Sequence, residues 1–207
     1  VRSRGLGDVY KRQSSDGKET VYIATDGNGV HFLSHKKQQV TRRFYHDVSD
    51  KEGIRSNSVY SLLVDDRGAV WVGHFQAGLD YSLYQNGLFR TYAYPPLFNS
   101  ANLSIRSFIS RGQEKVIGSR DGLFYINEAT GMVKSFVKPV LTSDLILTIS
   151  FYQGEYYIGT YGGGMMVLNP ETLSLKYFSQ SDTELFQKGH IFCVKPCLLY
   201  TSPSPRD

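Results

Sequence analysis

Cysteine, tryptophan, methionine and long apolar runs are all scarce in this chain of 207 residues. Its two cysteines are too few to form a disulfide framework. No stretch of about 18 apolar residues occurs, and the N-terminus lacks the apolar segment of a signal peptide, so we expect these residues neither to span nor to enter a membrane. With 41% hydrophobic and 20% charged residues, the composition is that of a folded chain rather than a disordered one.

The two ends of the chain encode related DNA. Residues 3–13 read SRGLGDVYKRQ, and residues 197–207 read CLLYTSPSPRD. Codons for the first stretch, when reverse-complemented and read from the second base, encode the second stretch. An inverted repeat of this kind resembles a sequencing-library adapter that was read through in both directions. We therefore interpret residues 1–13 and 197–207 as adapter-like artefacts and expect them to make few native contacts.

Removing these ends changes what the charge implies. The first 13 residues contain four basic side chains and one acidic one, while the last 11 contain one of each. The net charge of +4 therefore falls to +1 for residues 14–196. A balanced charge removes the electrostatic reason to expect a nucleic-acid partner.

An internal repeat runs through residues 14–196. Small residues at matching places are spaced 49, 45 and 41 apart; they are Ala24, Gly73, Gly118 and Gly159. A second series opens short apolar runs at spacings of 46, 41 and 45; its members are Val59, Ile105, Ile146 and Ile191. Two series with nearly the same period indicate a repeat rather than a chance of composition. We place the repeats at about 20–58, 59–104, 105–145 and 146–190, with a fifth beginning at 191.

Each repeat reads as four short strands. In the second repeat they cover 59–64, 70–73, 78–83 and 88–92, separated by turns rich in Asp, Asn and Gly. Four-stranded units every 40 to 50 residues are typical of propeller blades. The sequence therefore predicts an all-β fold, a β-propeller fragment with about four four-stranded antiparallel blades in an open arc.

Several repeat positions have a predicted structural role. Glycine, alanine and one tryptophan recur or stand out at Ala24, Gly29, Trp71, Gly73, Gly78, Gly118, Gly122, Gly159 and Gly164. We expect the small residues where neighbouring blades approach closely, since a larger side chain would hold the sheets apart. Another column, in the first strand of each blade, holds Ser61, Ser107, Thr148 and Cys193. Cys193 is accordingly predicted to be buried rather than reactive.

Residues 56–73 read SNSVYSLLVDDRGAVWVG and are followed by Gly78 and Leu79. This run resembles the two-component regulator propeller repeat. The resemblance extends over roughly residues 20–194, although the other repeats match only its apolar skeleton and glycines. Two departures stand out: Asp80 occupies a place where the family usually has an aromatic or aliphatic residue, and the stretch from Gly118 to Gly122 is one residue short.

The resemblance implies a biological setting. In that family the repeats build the sensor region of membrane-anchored hybrid histidine kinases, especially of gut Bacteroidetes that respond to glycan fragments. It implies a periplasmic, ligand-sensing segment of a receptor dimer, whose partners are an oligosaccharide or other small ligand and the remaining blades and stalk. The kinase would lie elsewhere in the parent protein, so this segment is predicted not to be an enzyme.

The residues themselves offer no catalytic or metal-binding pattern. The five histidines are scattered, and Asp26–Gly29 lacks the later ligands of a calcium loop. Gly162–Gly164 lacks the Lys and Ser/Thr of a phosphate loop. Asp65 and Asp66 lie in a turn rather than facing each other across a cleft. We predict no catalytic residues, no metal and no cofactor.

Strand parity indicates where a ligand would bind. In a four-stranded blade, the loops between the second and third strands share one face with the connections between blades; we call this the linker face. The loops vary between repeats while their glycines do not, as expected of a recognition surface on a fixed scaffold. The ligand-binding residues predicted on this face are Asp26, His74, Phe75, Arg120 and Tyr161. Asn57, Asp144 and His190 reach the same face. Aromatic rings with polar groups between them suit a sugar.

Two other classes of function stay open at this point. A protein-interaction propeller of the WD40 or kelch type would need recurring Trp-Asp pairs or paired glycines with spaced Tyr and Trp. The single tryptophan, Trp71, is followed by Val72. A propeller enzyme that acts on polysaccharides would need a convergent pair of acids, which the sequence does not reveal.

Overall fold

The computed structural model describes residues 9–15, 20–65, 67–83, 88–92, 103–177 and 188–196, the first of these ranges by its backbone alone. The described chain forms four antiparallel sheets of four strands each, and in each sheet the strands lie in sequence order. Blade 1 consists of β1 (Val9–Ser15), β2 (Thr20–Asp26), β3 (Val30–Ser34) and β4 (Gln39–Phe44). Blade 2 consists of β5 (Val59–Val64), β6 (Val70–His74), β7 (Leu79–Ser82) and β8 (Arg90–Thr91).

The last two blades repeat this order. Blade 3 consists of β9 (Ile105–Arg111), β10 (Glu114–Ser119), β11 (Leu123–Asn127) and β12 (Met132–Phe136). Blade 4 consists of β13 (Ile146–Tyr152), β14 (Glu155–Thr160), β15 (Met165–Leu168) and β16 (Leu175–Tyr177). The first strand of each blade contacts the first strand of the next. The result is the predicted open arc of propeller blades, with strands beginning at Val59, Ile105 and Ile146 as expected.

One expectation about the N-terminal tail is wrong. Residues 9–13 belong to β1, which pairs with β2 from Val9 opposite Asp26 to Ser15 opposite Val21. A strand ladder is made by backbone groups, and any extended segment can supply them to an open sheet edge whatever the origin of its sequence. Residues 84–87, where a further turn was predicted, and residues 197–207 lie outside the described part of the chain.

Apolar side chains fill the spaces between the blades, because neighbouring sheets pack face to face. One cluster joins blades 1 and 2, a second joins blades 2 and 3, and a third joins blades 3 and 4. In the second cluster, Trp71 stacks on Tyr81 with ring centroids 5.0 Å apart and lies 5.0 Å from Phe108 of blade 3. Its indole Nε1–H donates to Asp65 Oδ2 at 3.0 Å.

The small residues lie at close contacts between blades. A Cβ added at Gly73 would lie 2.9 Å from Ile105 Cγ2 and 2.1 Å from Ser61 Oγ. At Gly118 it would lie 2.5 Å from Ile146 Cγ2. All these distances are shorter than non-bonded heavy atoms tolerate, so the sheets can approach this closely only where the side chain is missing.

The segment from Gly189 to Pro196 reaches blade 4 but forms no strand among the described residues. A Cβ at Gly159 would lie 2.7 Å from Ile191 Cγ2, which repeats the contacts of Gly73 and Gly118. Ser150 Oγ donates to the carbonyl oxygen of Val194. Cys193, however, is exposed, contrary to the prediction. Ser61, Ser107 and Thr148 are buried because each pairs with a second strand of its own sheet, and Cys193 has no such strand beside it in the described residues.

Each inner strand has a bulge at the same place. The register skips Tyr60 in β5, Arg106 in β9, Leu147 in β13 and Lys11 in β1, in each case just before the residue that pairs with the small position of the second strand. A bulge leaves one residue unpaired and redirects its side chain. By position after Ile191, Phe192 belongs to the same column. We call these positions the bulge column.

Candidate functional site

The loops of the linker face are anchored by backbone hydrogen bonds to the segment that leads into the next blade. Gly27 N–H donates to the carbonyl of Asn57, Gly78 N–H to that of Leu103, and Gly164 N–H to that of Gly189, each at 3.0 Å. Since the backbone makes these bonds, the loop side chains can differ between blades without moving the loops. The linker face therefore combines a fixed frame with variable side chains.

Three side chains from two blades meet near the start of the inner strands. The rings of Tyr60 and Phe75 lie 5.1 Å apart, and the guanidinium carbon of Arg106 lies 5.2 Å from the centre of the Tyr60 ring. Tyr60 and Arg106 are bulge-column residues of blades 2 and 3, and Phe75 begins the loop after β6. All three are partly exposed. We call this group the bulge cluster.

The backbone of Arg120 lies close to the bulge cluster. Its backbone N–H donates to the carbonyl of Ser104 at 3.1 Å, just before β9 and Arg106. The hydroxyl of Ser104 accepts from Gln76 N–H at 3.2 Å, which ties the loop of blade 2 to the same point. The Arg120 side chain is exposed. The start of β9 thus carries one arginine in the bulge cluster and another close to it.

A second aromatic group lies on the linker face at blade 4. Tyr161 and His190 stack with ring centroids 4.0 Å apart, and Phe192 lies 6.5 Å from His190. Tyr161 is 49% exposed and Phe192 is 65% exposed. The loop is held by the Tyr161 N–H, which donates to the carbonyl of Leu145 at 2.9 Å. These neighbouring exposed rings form a small aromatic patch on the linker face.

His74 does not reach the surface, in contrast to the sequence prediction. It is fully buried, and its Nε2 lies 2.8 Å from Asp80 Oδ2. Strand β6 continues through His74 instead of ending at Gly73, so the imidazole points into the blade rather than into the loop. Asp26, the last residue of β2, is half-buried and forms a bridge with Ser58.

Asp80 fastens the linker between blades 1 and 2. Besides His74, its carboxylate accepts from Arg55 N–H at 3.0 Å and from Arg55 Nε–H at 2.8 Å. This explains why an acid stands where the resemblance implies an apolar residue: Asp80 is buried, but three donors satisfy it. In the sequence, Asp80 could be recognised as unusual because it departs from the repeat pattern. Its hydrogen-bond partners could be identified only from the fold.

The described part of the surface has a depression on each of the two faces. One of about 150 Å³ on the linker between blades 1 and 2 is lined in part by Arg43, Tyr45, Asp47 and Asp50. The other, of about 480 Å³, lies at the hairpin between β9 and β10 on the opposite face. Within the described residues, no group of three or more His, Cys, Asp or Glu side chains is placed to hold a metal ion. No helix in the described ranges is long and apolar enough to cross a membrane.

The comparison with protein families matches residues 53–76 to the two-component regulator propeller. This stretch is similar to a repeat of that family. The repeat covers the end of the linker before blade 2, all of β5 and β6, and the first residues of the following loop. It therefore includes Asp65 and Trp71 as well as Tyr60 and Phe75 of the bulge cluster.

Solved structures that resemble the chain include two bacterial extracellular domains. The extracellular domain of BT4673 from B. thetaiotaomicron, described as a one-component system in one structure and as a hybrid two-component system in another, aligns with a TM-score of 0.69 in the first. The identity is 20% over 88% of this chain and 24% of that one. The extracellular domain of the hybrid two-component system BT3049 from the same organism aligns with a TM-score of 0.63 and 22% identity, over 82% of this chain and 24% of that one.

A much smaller protein shares the fold as well. The computationally designed protein Ika4 aligns with a TM-score of 0.57 and 15% identity, over 80% of this chain and 94% of its own. At these identities the likeness shows the fold alone. The chain spans about a quarter of the length of the two bacterial ectodomains. No curated protein matches its sequence.

Proposed function

We propose that this chain is a segment of the extracytoplasmic, periplasmic sensor of a hybrid two-component receptor, that it binds an oligosaccharide on its linker face, and that it performs no catalysis. The observation that carries the proposal is the gathering of aromatic side chains on that face, in a chain that contains a two-component regulator propeller repeat. The rest of the receptor, namely further blades, a stalk and a second receptor copy, would pass the signal on.

The position of the exposed rings supports binding at this face rather than elsewhere. Tyr45, Tyr161 and Phe192 are exposed in linkers or loops of the linker face, while Tyr177 is an exposed ring on an outer strand. Sugars present C–H groups that stack on such rings and hydroxyls that need donors and acceptors beside them. Arg120 and Asp26 supply polar groups in the same set of loops.

Signalling would follow from the position of the site between blades. A ligand shifts a receptor only if it binds two states of the receptor unequally. The bulge cluster combines a residue of blade 3 with two residues of blade 2, so a sugar held there would favour one arrangement of the two blades. The change in blade packing is the signal that the rest of the receptor would read.

Titration calorimetry of the chain against a panel of plant and host-gut oligosaccharides tests the proposal. We expect Phe75→Ala, Arg120→Ala and Tyr161→Ala to weaken binding of the sugar that is recognised, at least one of them by about tenfold. Tyr177→Ala is the matched control, because Tyr177 is exposed to 51%, nearly as much as Tyr161, but lies on the outer strand β16.

Three outcomes would contradict the proposal in different ways. Full-strength binding by all three variants would show that the linker face is not the site. Release of sugar products during the titration would show that the chain is an enzyme and not only a sensor. If none of the sugars bound, the proposed carbohydrate ligand would be wrong.

A further inference from the structure

The bulge column places one side chain per blade outside the normal alternation of the strand. Tyr60, Arg106, Leu147 and, by position, Phe192 occupy it in successive repeats. Three of these are apolar or aromatic, and Arg106 is the single charged member among the residues whose side chains the structure describes. Lys11 of β1 holds the same position in blade 1, so Arg106 is singled out by its contacts rather than by its charge alone.

Arg106 has unused hydrogen-bonding capacity. Its Nε is buried and has no hydrogen-bond partner among the described residues. The ion pairs of that part of the chain use the side chains of Arg55, Arg67, His74 and Lys115, and none involves Arg106. A buried guanidinium N–H without an acceptor costs free energy, and no group of the described residues offsets that cost.

The surroundings of Arg106 favour an anion as that acceptor. The carboxylate of Asp80, in the same blade as Tyr60, is already held by Arg55 and His74. Asp26, the acid in the loop of blade 1, also has an interaction of its own. Arg120 adds a second positive charge close to the start of β9. No ion pair of the described residues involves Arg106 or Arg120, although Asp121 follows Arg120 directly in the chain.

We propose that the bulge cluster binds the acidic group of a charged sugar, with the carboxylate or sulfate on the Arg106 guanidinium and the sugar ring against Tyr60 and Phe75. A guanidinium presents two parallel N–H donors that match a planar carboxylate, and the partly exposed ring of Tyr60 lies beside it. Arg120 strengthens the attraction without being required for the stacking. This inference rests on the proposed function and narrows its ligand to acidic oligosaccharides.

A pair of sugars that differ only in charge tests the inference. Trigalacturonic acid carries three carboxylates, and its methyl ester is the same trimer without charge; a sulfated galactan oligosaccharide tests sulfate as the acidic group. Calorimetry should show that the acid or the sulfated sugar binds at least about tenfold more tightly than the ester. Binding of the charged sugar should weaken as salt is added.

Variants of Arg106 distinguish the effect of its positive charge on binding from the effect of its side-chain shape. We expect Arg106→Gln to weaken binding of the charged sugar by about tenfold or more and to leave binding of the ester unchanged. Arg106→Lys should give an intermediate loss, since it keeps the charge but not the paired donors. Arg90→Gln is the control, because it removes one exposed positive charge on the outer strand β8. Melting temperature and near-ultraviolet circular dichroism show whether each variant is folded.

The results separate this inference from the proposed function. Equal binding of acid and ester, or unchanged binding of the charged sugar by folded Arg106→Gln, would overturn the inference while a sugar sensor survived. Binding of neutral sugars alone would have the same meaning. If no sugar bound at all, both the inference and the carbohydrate ligand would be wrong.

Discussion

The boundary between blades 2 and 3 and the boundary between blades 3 and 4 solve the same packing problem with different chemistry. At each boundary a glutamate of blade 3 accepts a hydrogen bond from a tyrosine hydroxyl of the neighbouring blade. Tyr92 donates to Glu128 at 3.1 Å, and Tyr156 donates to Glu114 at 2.9 Å. The second oxygen of each carboxylate has a different partner, and this partner determines how each boundary responds to change.

At the first boundary the second partner is an ammonium group. Lys115 is fully buried, with Nζ 2.5 Å from Glu128 Oε2 and 5.6 Å from the centre of the Trp71 ring. At the second boundary the partner is another phenol, because Tyr125 donates to Glu114 Oε1 at 2.5 Å. One boundary depends on a buried ion pair, whereas the other depends on neutral hydroxyls around one carboxylate. Two blade boundaries with the same backbone geometry can therefore contribute differently to the free energy of unfolding.

The hairpins at the two boundaries differ as well. The turn between β5 and β6 is built on Asp65, which accepts from Ala69 N–H at 2.9 Å and Arg67 N–H at 3.0 Å in addition to Trp71. The turns of blades 3 and 4 contain only two residues between the strands, Gly112–Gln113 and Gln153–Gly154. The family match at residues 53–76 thus coincides with the blade that has the Asp65 turn and Trp71.

The largest predicted effect is a difference in stability between variants of the two carboxylates, Glu128 and Glu114. Glu128→Gln would leave the buried ammonium of Lys115 without a counter-charge and should lower the free energy of unfolding by about 3 kcal/mol. Glu114→Gln would let one hydroxyl donate to the amide oxygen while the other hydroxyl accepts from the amide NH2, so the loss should be about 1 kcal/mol. Urea unfolding of both variants measures the difference. If both variants lost the same free energy of unfolding, the proposed dependence of the first boundary on an ion pair, and of the second on hydroxyl groups, would be wrong.

The second prediction concerns what the boundaries share. Gly73→Val and Gly118→Val should each lower the free energy of unfolding by about 2 to 3 kcal/mol, because both add methyl groups where Ile105 or Ile146 already lies. Ala129→Val, at an exposed turn of blade 3, should change it by less than about 0.5 kcal/mol. An unaltered thermal midpoint for Gly73→Val would show that the register of β6 against blade 3 is wrong.

The third prediction tests the Asp65 turn. Burial alone would raise the pKa of Asp65, but the hydrogen bonds from Trp71, Ala69 and Arg67 outweigh it and hold the pKa below its usual range. The stabilisation is therefore complete above the unfolded pKa of about 4 and is lost as the pH falls below it. Asp65→Asn should cost about 1 to 2 kcal/mol at neutral pH and remove this acid dependence. An Asp65→Asn chain with the same acid unfolding curve would contradict the assignment.

The smallest predicted effect appears only at alkaline pH. Burial, followed by the hydrogen bond to Glu114, raises the pKa of Tyr125 to about 12, and the same causes raise the pKa of Tyr156 further. The folded chain then keeps protons that the unfolded chain loses near pH 10, so stability should fall as the pH rises from about 10 to 12. Phenolate absorbance measures the titration, and Tyr125→Phe should remove one late-titrating group. Titration of every tyrosine near pH 10 would contradict the shared carboxylate.

Local features of the fold were predictable because they depend on residues close in sequence. Alternating apolar residues predicted strands at Val59, Ile105 and Ile146, and the Asp65 to Gly68 segment predicted a turn. The spacing of Gly73 and Gly118 predicted the close contacts between sheets. The strand starts and the small residues repeat with the chain, so their period revealed them, whereas the Asp65 turn was recognisable from its own residues.

The candidate site was less predictable because strand parity changes with one residue. Extending β6 by His74 moved that side chain from the loop to the interior. The bulges placed Tyr60 and Arg106 in contact across two blades, although 46 residues separate them. The burial of Lys115 also depended on a partner, Glu128, beyond the next turn.

The sequence by itself determined the repeat, the four-stranded blade and the face on which variable loops lie, because each depends on a local pattern of apolar residues and turns. Only the tertiary structure decided which side chains meet on that face and which charges are satisfied. Those outcomes depend on the approach of strands from neighbouring blades and on one-residue bulges. A local pattern does not encode either of them, since the free energy of a contact between blades is realised only when both blades have formed.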